Sequence, residues 1–134
     1  MIDARSRYVT DAVATVGPAR LLTMLYDRLL LDLARAETAQ LGEDWPLASA
    51  QLLHAQEIVS ELIGSLRPEQ WDGGPGLLAV YHYVLTGMAQ ANTQRDVTRT
   101  RECITLLEPL RLAWHDAALK VAMHEAALRR DAVG

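Results

Sequence analysis

Apolar residues recur at helical spacing along most of the chain, and glycine- and proline-containing breaks divide them into four runs. On a wheel of roughly 100° per residue with Leu22 as origin, Leu22, Leu25, Tyr26, Leu29, Leu33 and Ala36 share one stripe. This predicts a first helix over residues 18–41, opened by Gly17-Pro18 and ended by Gly42. Met24 and Leu31 lie one heptad apart on nearly the opposite side, among Asp27, Arg28 and Arg35. A surface helix needs only one apolar stripe, so these two are candidates for contact with a partner. Asp44 is placed to cap a second helix over 45–66, with Pro46 in its first turn. Ala48, Leu52, Ala55, Val59, Leu62, Ile63 and Leu66 form its stripe; Leu47, Leu53 and Ile58 fall off it. Arg67-Pro68 and Asp72-Gly73-Gly74-Pro75-Gly76 read as a loop. The third helix, 76–92, is apolar nearly all round, a pattern that calls for cover from another chain or a ligand segment. The fourth runs over 96–128 from an Asp96 cap, with Cys103, Leu107, Leu110, Trp114, Ala117 and Val121 as its stripe. Pro109 interrupts it, and a kink is expected near Thr105, whose carbonyl faces the proline ring. Residues 129–134 are expected to fray. Residues 1–17 are polar apart from Tyr8, Val9, Val13 and Val16, and read as an arm or short cap helix.

Four helices with short connections make an all-α, antiparallel up-down four-helix bundle. Each helix has its own core stripe, which argues against a two-helix hairpin that must dimerise. Composition agrees. The 134 residues make one domain; half are hydrophobic, yet Phe is absent and Ala and Leu prevail, as helices favour. A net charge of −4 offers no basic footprint for nucleic acid. Cys103, the single cysteine, allows no internal disulfide and fits a reducing compartment. No apolar run reaches the roughly 18 residues of a membrane span, and residues 1–7 lack the apolar centre of a secretory signal. A cytosolic location is the expectation.

Candidate chemistry is sparse. Di-metal bundles carry paired Glu-x-x-His motifs facing inward, and this chain has none. His54 and Glu57 have the reversed spacing, with His54 off the core stripe, while His82, His115 and His124 sit among polar or charged neighbours. Cys103 lies on a core stripe, where a thiol is a small inert hydrophobe. Gly73, Gly74 and Gly76 follow no strand and precede no Lys-Ser/Thr, so they form no phosphate loop. The residues point to no catalytic group, no cofactor and no metal, and leave a helix-binding module with surplus apolar surface.

Five stretches in register carry a resemblance. Met24-Leu25-Tyr26-Asp27 follows a Pro-initiated helix. Ala55-Gln56-Glu57-Ile58-Val59-Ser60-Glu61-Leu62 comes next. Gly73-Gly74 leads into a helix holding Tyr81 and Tyr83. Ala91-Asn92 precedes Asp96, and Leu106-Leu107, Leu110-Arg111 and Ala113-Trp114 complete the set. Over residues 8–116 this resembles the flagellar secretion chaperones of the FliS family. There are departures: Gly17 and Ala19 flank the helix-opening proline where the family usually has Ser and Glu, Arg28 follows the Tyr-Asp pair where Gly is usual, and Pro75 and Pro109 are unusual.

The resemblance implies a cytosolic chaperone, not an enzyme. It would bind the C-terminal segment of flagellin, prevent premature polymerisation and pass the complex to the flagellar type III export gate. Tyr8, Met24, Tyr26, Leu31, Ile58, Tyr81 and Tyr83 are the expected flagellin contacts, with Tyr8 in an arm that covers part of the groove until flagellin arrives. Two other classes stay open: a helical homodimer whose apolar faces pair with each other, and a ligand-binding or metal bundle.

Overall fold

The computed structural model describes residues 17–133, and they are helical almost throughout. Helix α1 is Pro18–Leu41, α2 Trp45–Ser65, α3 Gly74–Thr93 and α4 Val97–Val133. A 3-10 turn, Pro68–Gln70, lies between α2 and α3. The described residues contain no strand, and the short connections set consecutive helices antiparallel in an all-α four-helix bundle.

These residues fall into two compact units, 27–109 and 17–26 with 110–133; α1 and α4 each run through both. The larger unit holds the main core: Leu29, Leu33 and Ala36 of α1, Leu52, Ala55, Val59 and Leu62 of α2, Tyr81, Val84 and Met88 of α3, and Cys103 and Leu107 of α4. This repeats the centres of the stripes expected for α1 and α2 and the first part of that expected for α4. Two polar groups are buried at one end of this core and satisfy each other. Thr100 Oγ1 donates to Gln40 Oε1 at 2.7 Å, and Gln40 Nε2 donates to the Ala91 carbonyl at 3.3 Å, tying the ends of α1 and α3 to the start of α4. In the smaller unit, Tyr26 is fully buried and its ring lies 6.4 Å from that of Trp114, tilted by 53°.

The ends of the helices follow from local chemistry. Gly17 takes φ +79°, and its carbonyl accepts from Leu21 N at 3.0 Å. Glycine occupies this left-handed position at no steric cost. Asp44 accepts from Leu47 N at 3.3 Å, capping α2 ahead of Pro46, and Asp96 accepts from Thr98 N at 3.0 Å at the start of α4. At the far end of α1 the left-handed residue is Glu43, φ +58°, one past Gly42. Glu43 N donates to Gln40 O and Asp44 N to Ala39 O, the paired bonds of a Schellman motif. Arg95, φ +53°, repeats it after α3, with Arg95 N to Asn92 O and Asp96 N to Ala91 O.

α4 departs from expectation in its second half. It stays helical to Val133, past the expected fraying point, and the unit boundary falls between Pro109 and Leu110. Ala117 and Val121 continue the stripe of Cys103 and Leu107 on the wheel but are exposed. At 37 residues α4 is far longer than α2 with 21 or α3 with 20, so equal-length neighbours cannot cover it end to end. α3 departs the other way. Among its large apolar side chains only Tyr83 is exposed, because Ala79, His82 and Thr86 make its solvent face.

Glu43 and Arg95 each carry a left-handed backbone without being glycine, at a cost of about 1–2 kcal/mol. Glu43→Gly is expected to raise unfolding stability by about 0.5–1 kcal/mol in urea melts, after the glycine's own entropy loss. Arg95→Gly is expected to change stability little, because the Arg95 guanidinium, 5.0 Å from the Trp45 ring centroid, is lost with the strain. A destabilised Glu43→Gly would contradict this reading of the turn.

Candidate functional site: the α1–α2 groove

Surplus apolar surface in the larger unit is concentrated along α1 and α2. Leu31 is 43% exposed and Leu41 60% on α1; Leu47 is 45% and Leu53 51% on α2. Leu31, Leu47 and Leu53 fall off the core stripes of their helices, so the same wheel that buries one set presents the other. Between the helices lies an open groove of about 660 Å³. Its α1 side is made by Ala34, Thr38 and Gly42, one turn apart, with Arg35 and Ala39; Leu47 and Gln51 of α2 and Asp44 line the other side. Small residues on one wall and Leu47 on the other, with Leu31 one turn before Ala34, leave room for another helix to approach closely.

Asp32 lies one turn beyond the groove and is fully buried, although it follows the exposed Leu31. Among the described residues it is the one buried residue with an ionisable acid or base outside the cysteine and tyrosines of the core. Arg28 Nε donates to Oδ1 at 2.8 Å from one turn earlier on α1, and His54 Nδ1 pairs with Oδ2 from α2. A buried carboxylate needs such partners, since desolvation disfavours its charge. Periodicity alone does not reveal this cluster. The signal in the sequence is an aspartate inside the run Leu29-Leu30-Leu31-Asp32-Leu33, four residues after an arginine.

Elsewhere in the larger unit, Tyr83 O–H donates to Glu102 Oε1 at 2.5 Å, joining α3 to α4. That bond and the negative charge of Glu102 hold the phenol above its ordinary range. Cys103 is buried with its thiol toward the Val84 carbonyl at 3.7 Å, and burial, aided by Glu102, pushes its pKa up to about 12. The thiolate that nucleophilic chemistry requires is therefore scarce at neutral pH. No group of three His, Cys, Asp or Glu among the described residues is placed to hold a metal ion.

The residues expected from the sequence to touch a partner divide sharply. Leu31 and Tyr83, 54% exposed, stand on the surface, and Met24 is half-buried. Tyr26 and Tyr81 are core residues, at 0% and 2%. Ile58 is a correction: it is only 4% exposed. Ile58 lies one turn from His54, on the side of α2 that meets Asp32 of α1, outside the stripe. Tyr8 lies outside the described residues.

The profile of the family described as "Flagellar protein FliS" matches residues 1–121. The chain belongs to the FliS family. It is 29% identical over 117 residues to the "Flagellar secretion chaperone FliS" of Escherichia coli (strain K12), covering 86% of each chain. It is 28% identical over 110 residues to the protein of the same name from Bacillus subtilis (strain 168), covering 82% of each. FliS proteins are chaperones, not enzymes. The stretches that carried the resemblance are largely structural. Ala55, Ile58, Val59 and Leu62 are core, and the Ala91 carbonyl accepts from Gln40 and Asp96. Gly74 is required by contact: a Cβ there would come 2.4 Å from the Pro68 carbonyl oxygen.

Ile58→Asp is therefore expected to destabilise the fold by about 3 kcal/mol or more, by burying an unpaired charge. Leu31→Asp should leave stability within about 0.5 kcal/mol, as surface changes usually do. Urea denaturation of the two variants decides; equal melting would contradict the assignment of faces.

Proposed function

We propose that the chain is an export chaperone in the cytosol that binds the C-terminal segment of flagellin, keeps it from polymerising and delivers it to the flagellar export gate. The observation that carries this reading is the α1–α2 groove, walled by small residues and by Leu47, in a chain of the FliS family. Its relatives are named flagellar secretion chaperones. No helix among the described residues is long and apolar enough to cross a membrane.

A partner segment that is disordered when free can lay apolar residues along such a track as it becomes helical. The entropy lost in ordering offsets part of the binding energy, so the complex holds the segment and still releases it. Sequestration requires no bond to be broken. It follows from covering the apolar surface through which one flagellin would meet the next. Leu31, Leu41 and Leu47 are the proposed anchors on this face, and Tyr83 a contact on α3.

A second reading is favoured by the far half of α4. Leu112, Leu119, Met123 and Val133 are exposed there, and Leu112 and Leu119 stand one heptad apart, the start of a seam through which two copies could pair. Sedimentation of the chain alone over a range of concentrations separates self-association from a partner site.

The direct test is a pull-down. Full-length flagellin is expected to bind and flagellin lacking its C-terminal segment to fail. Equal capture of both would remove the C-terminal segment from the assignment.

A further inference from the structure

Asp32 uses both oxygens inside the protein, one on Arg28 Nε and one on His54 Nδ1. The side chains that hold it are not themselves buried: Arg28 is 50% exposed and His54 45%. The Nη groups of Arg28 and Nε2 of His54 make no further bond among the described residues. The cluster is thus an arginine and a histidine held from behind by a buried carboxylate. An arginine oriented through Nε keeps its two Nη groups as a planar fork, the geometry that a second carboxylate accepts. Less rotamer entropy remains to be lost when that carboxylate arrives.

The position of the cluster gives the fork a use. Antiparallel pairing that brings Asp32 to His54 brings Arg35 and Gln51, one turn further along, into the lining of the α1–α2 groove. Charge along this track runs from Arg28 and Arg35 at one end to Glu43 and Asp44 at the other. An occupant with the opposite order of charge fits in one direction only.

We propose that Arg28 forms the polar anchor of the groove. It receives an Asp or Glu side chain of an amphipathic helical segment whose apolar face packs beside Leu31 and Leu47 and whose basic residues lie toward Asp44. The identity of that segment as flagellin's C-terminal region rests on the function proposed above. The role of Asp32 is to position Arg28, and it touches no partner.

Titration calorimetry with the full chain and monomeric flagellin tests this. Each Asp and Glu of flagellin's C-terminal segment is replaced singly by Asn or Gln, and the chain is used as wild type, as Arg28→Lys, which keeps the charge and loses the fork, and as Arg28→Gln, which keeps a donor for Asp32 and loses both. Helical content is checked by circular dichroism. One acidic replacement is expected to weaken wild type about tenfold and to add little in Arg28→Lys, which is itself weakened about tenfold. Should Arg28→Lys not fold, Arg28→Gln gives the same readout. If the variants bind flagellin as wild type does, or every acidic replacement adds in full to them, the anchor is overturned and the flagellin reading stands. If wild type does not bind flagellin, both fall.

Discussion

The relation of α1 to α2 in the larger unit depends on one buried charge. An ionised carboxylate taken out of water costs several kcal/mol unless opposite charges and hydrogen-bond donors replace its hydration. Asp32 meets that requirement through Arg28 and His54. A shift of α2 along α1 by one turn would strand it. The contact therefore does more than a further leucine pair could, because apolar contacts tolerate slippage and a buried carboxylate does not. It also fixes what is left outside: with Asp32 turned inward, Leu31 beside it is turned out, and the groove wall of Ala34, Thr38 and Gly42 follows at helical spacing.

The core was legible in the sequence where a helix has one clear stripe. Leu29, Leu33 and Ala36, and Leu52, Ala55, Val59 and Leu62, are buried as their periodicity implies. It was misread where neighbours widen or remove cover. Ile58 lies off the stripe, on the face of α2 where His54 meets Asp32 of α1, and that cover cannot be read from α2 alone. Val121 continues a good stripe, but α4 outruns the helices that would bury it. The left-handed turn residues were displaced for a related reason. Gly42 is the obvious terminator by composition, yet the hydrogen-bond pattern puts Glu43 in the left-handed position, and only the closure of the loop onto Asp44 decides between them.

The candidate site was less legible than the core. The motifs that carry the family resemblance specify packing: Gly74 where the Pro68 backbone passes, Tyr81 and Ile58 in the core, Ala91 as an acceptor. They identify the fold and the family while saying little about the surface on which a partner is held. Leu31 was found because it interrupts a polar face. Leu41 was not, because it lies at a helix end where periodicity fades. Arg28 appeared as a charged neighbour of Leu31 and a departure from the family pattern, and its pairing with Asp32 needed the helix to be built.

The central claim is that the outward leucines of α1 and α2, not those of α4, are the surface a partner occupies. Methyl NMR of leucine-labelled chain, alone and with flagellin, tests it most directly. Leu31, Leu41 and Leu47 should shift strongly on binding, while Leu29, Leu33, Leu52 and Leu62 of the core move little. Shifts confined to Leu106, Leu112, Leu119 and Leu128 of α4, with the α1 and α2 methyls unchanged, would contradict it.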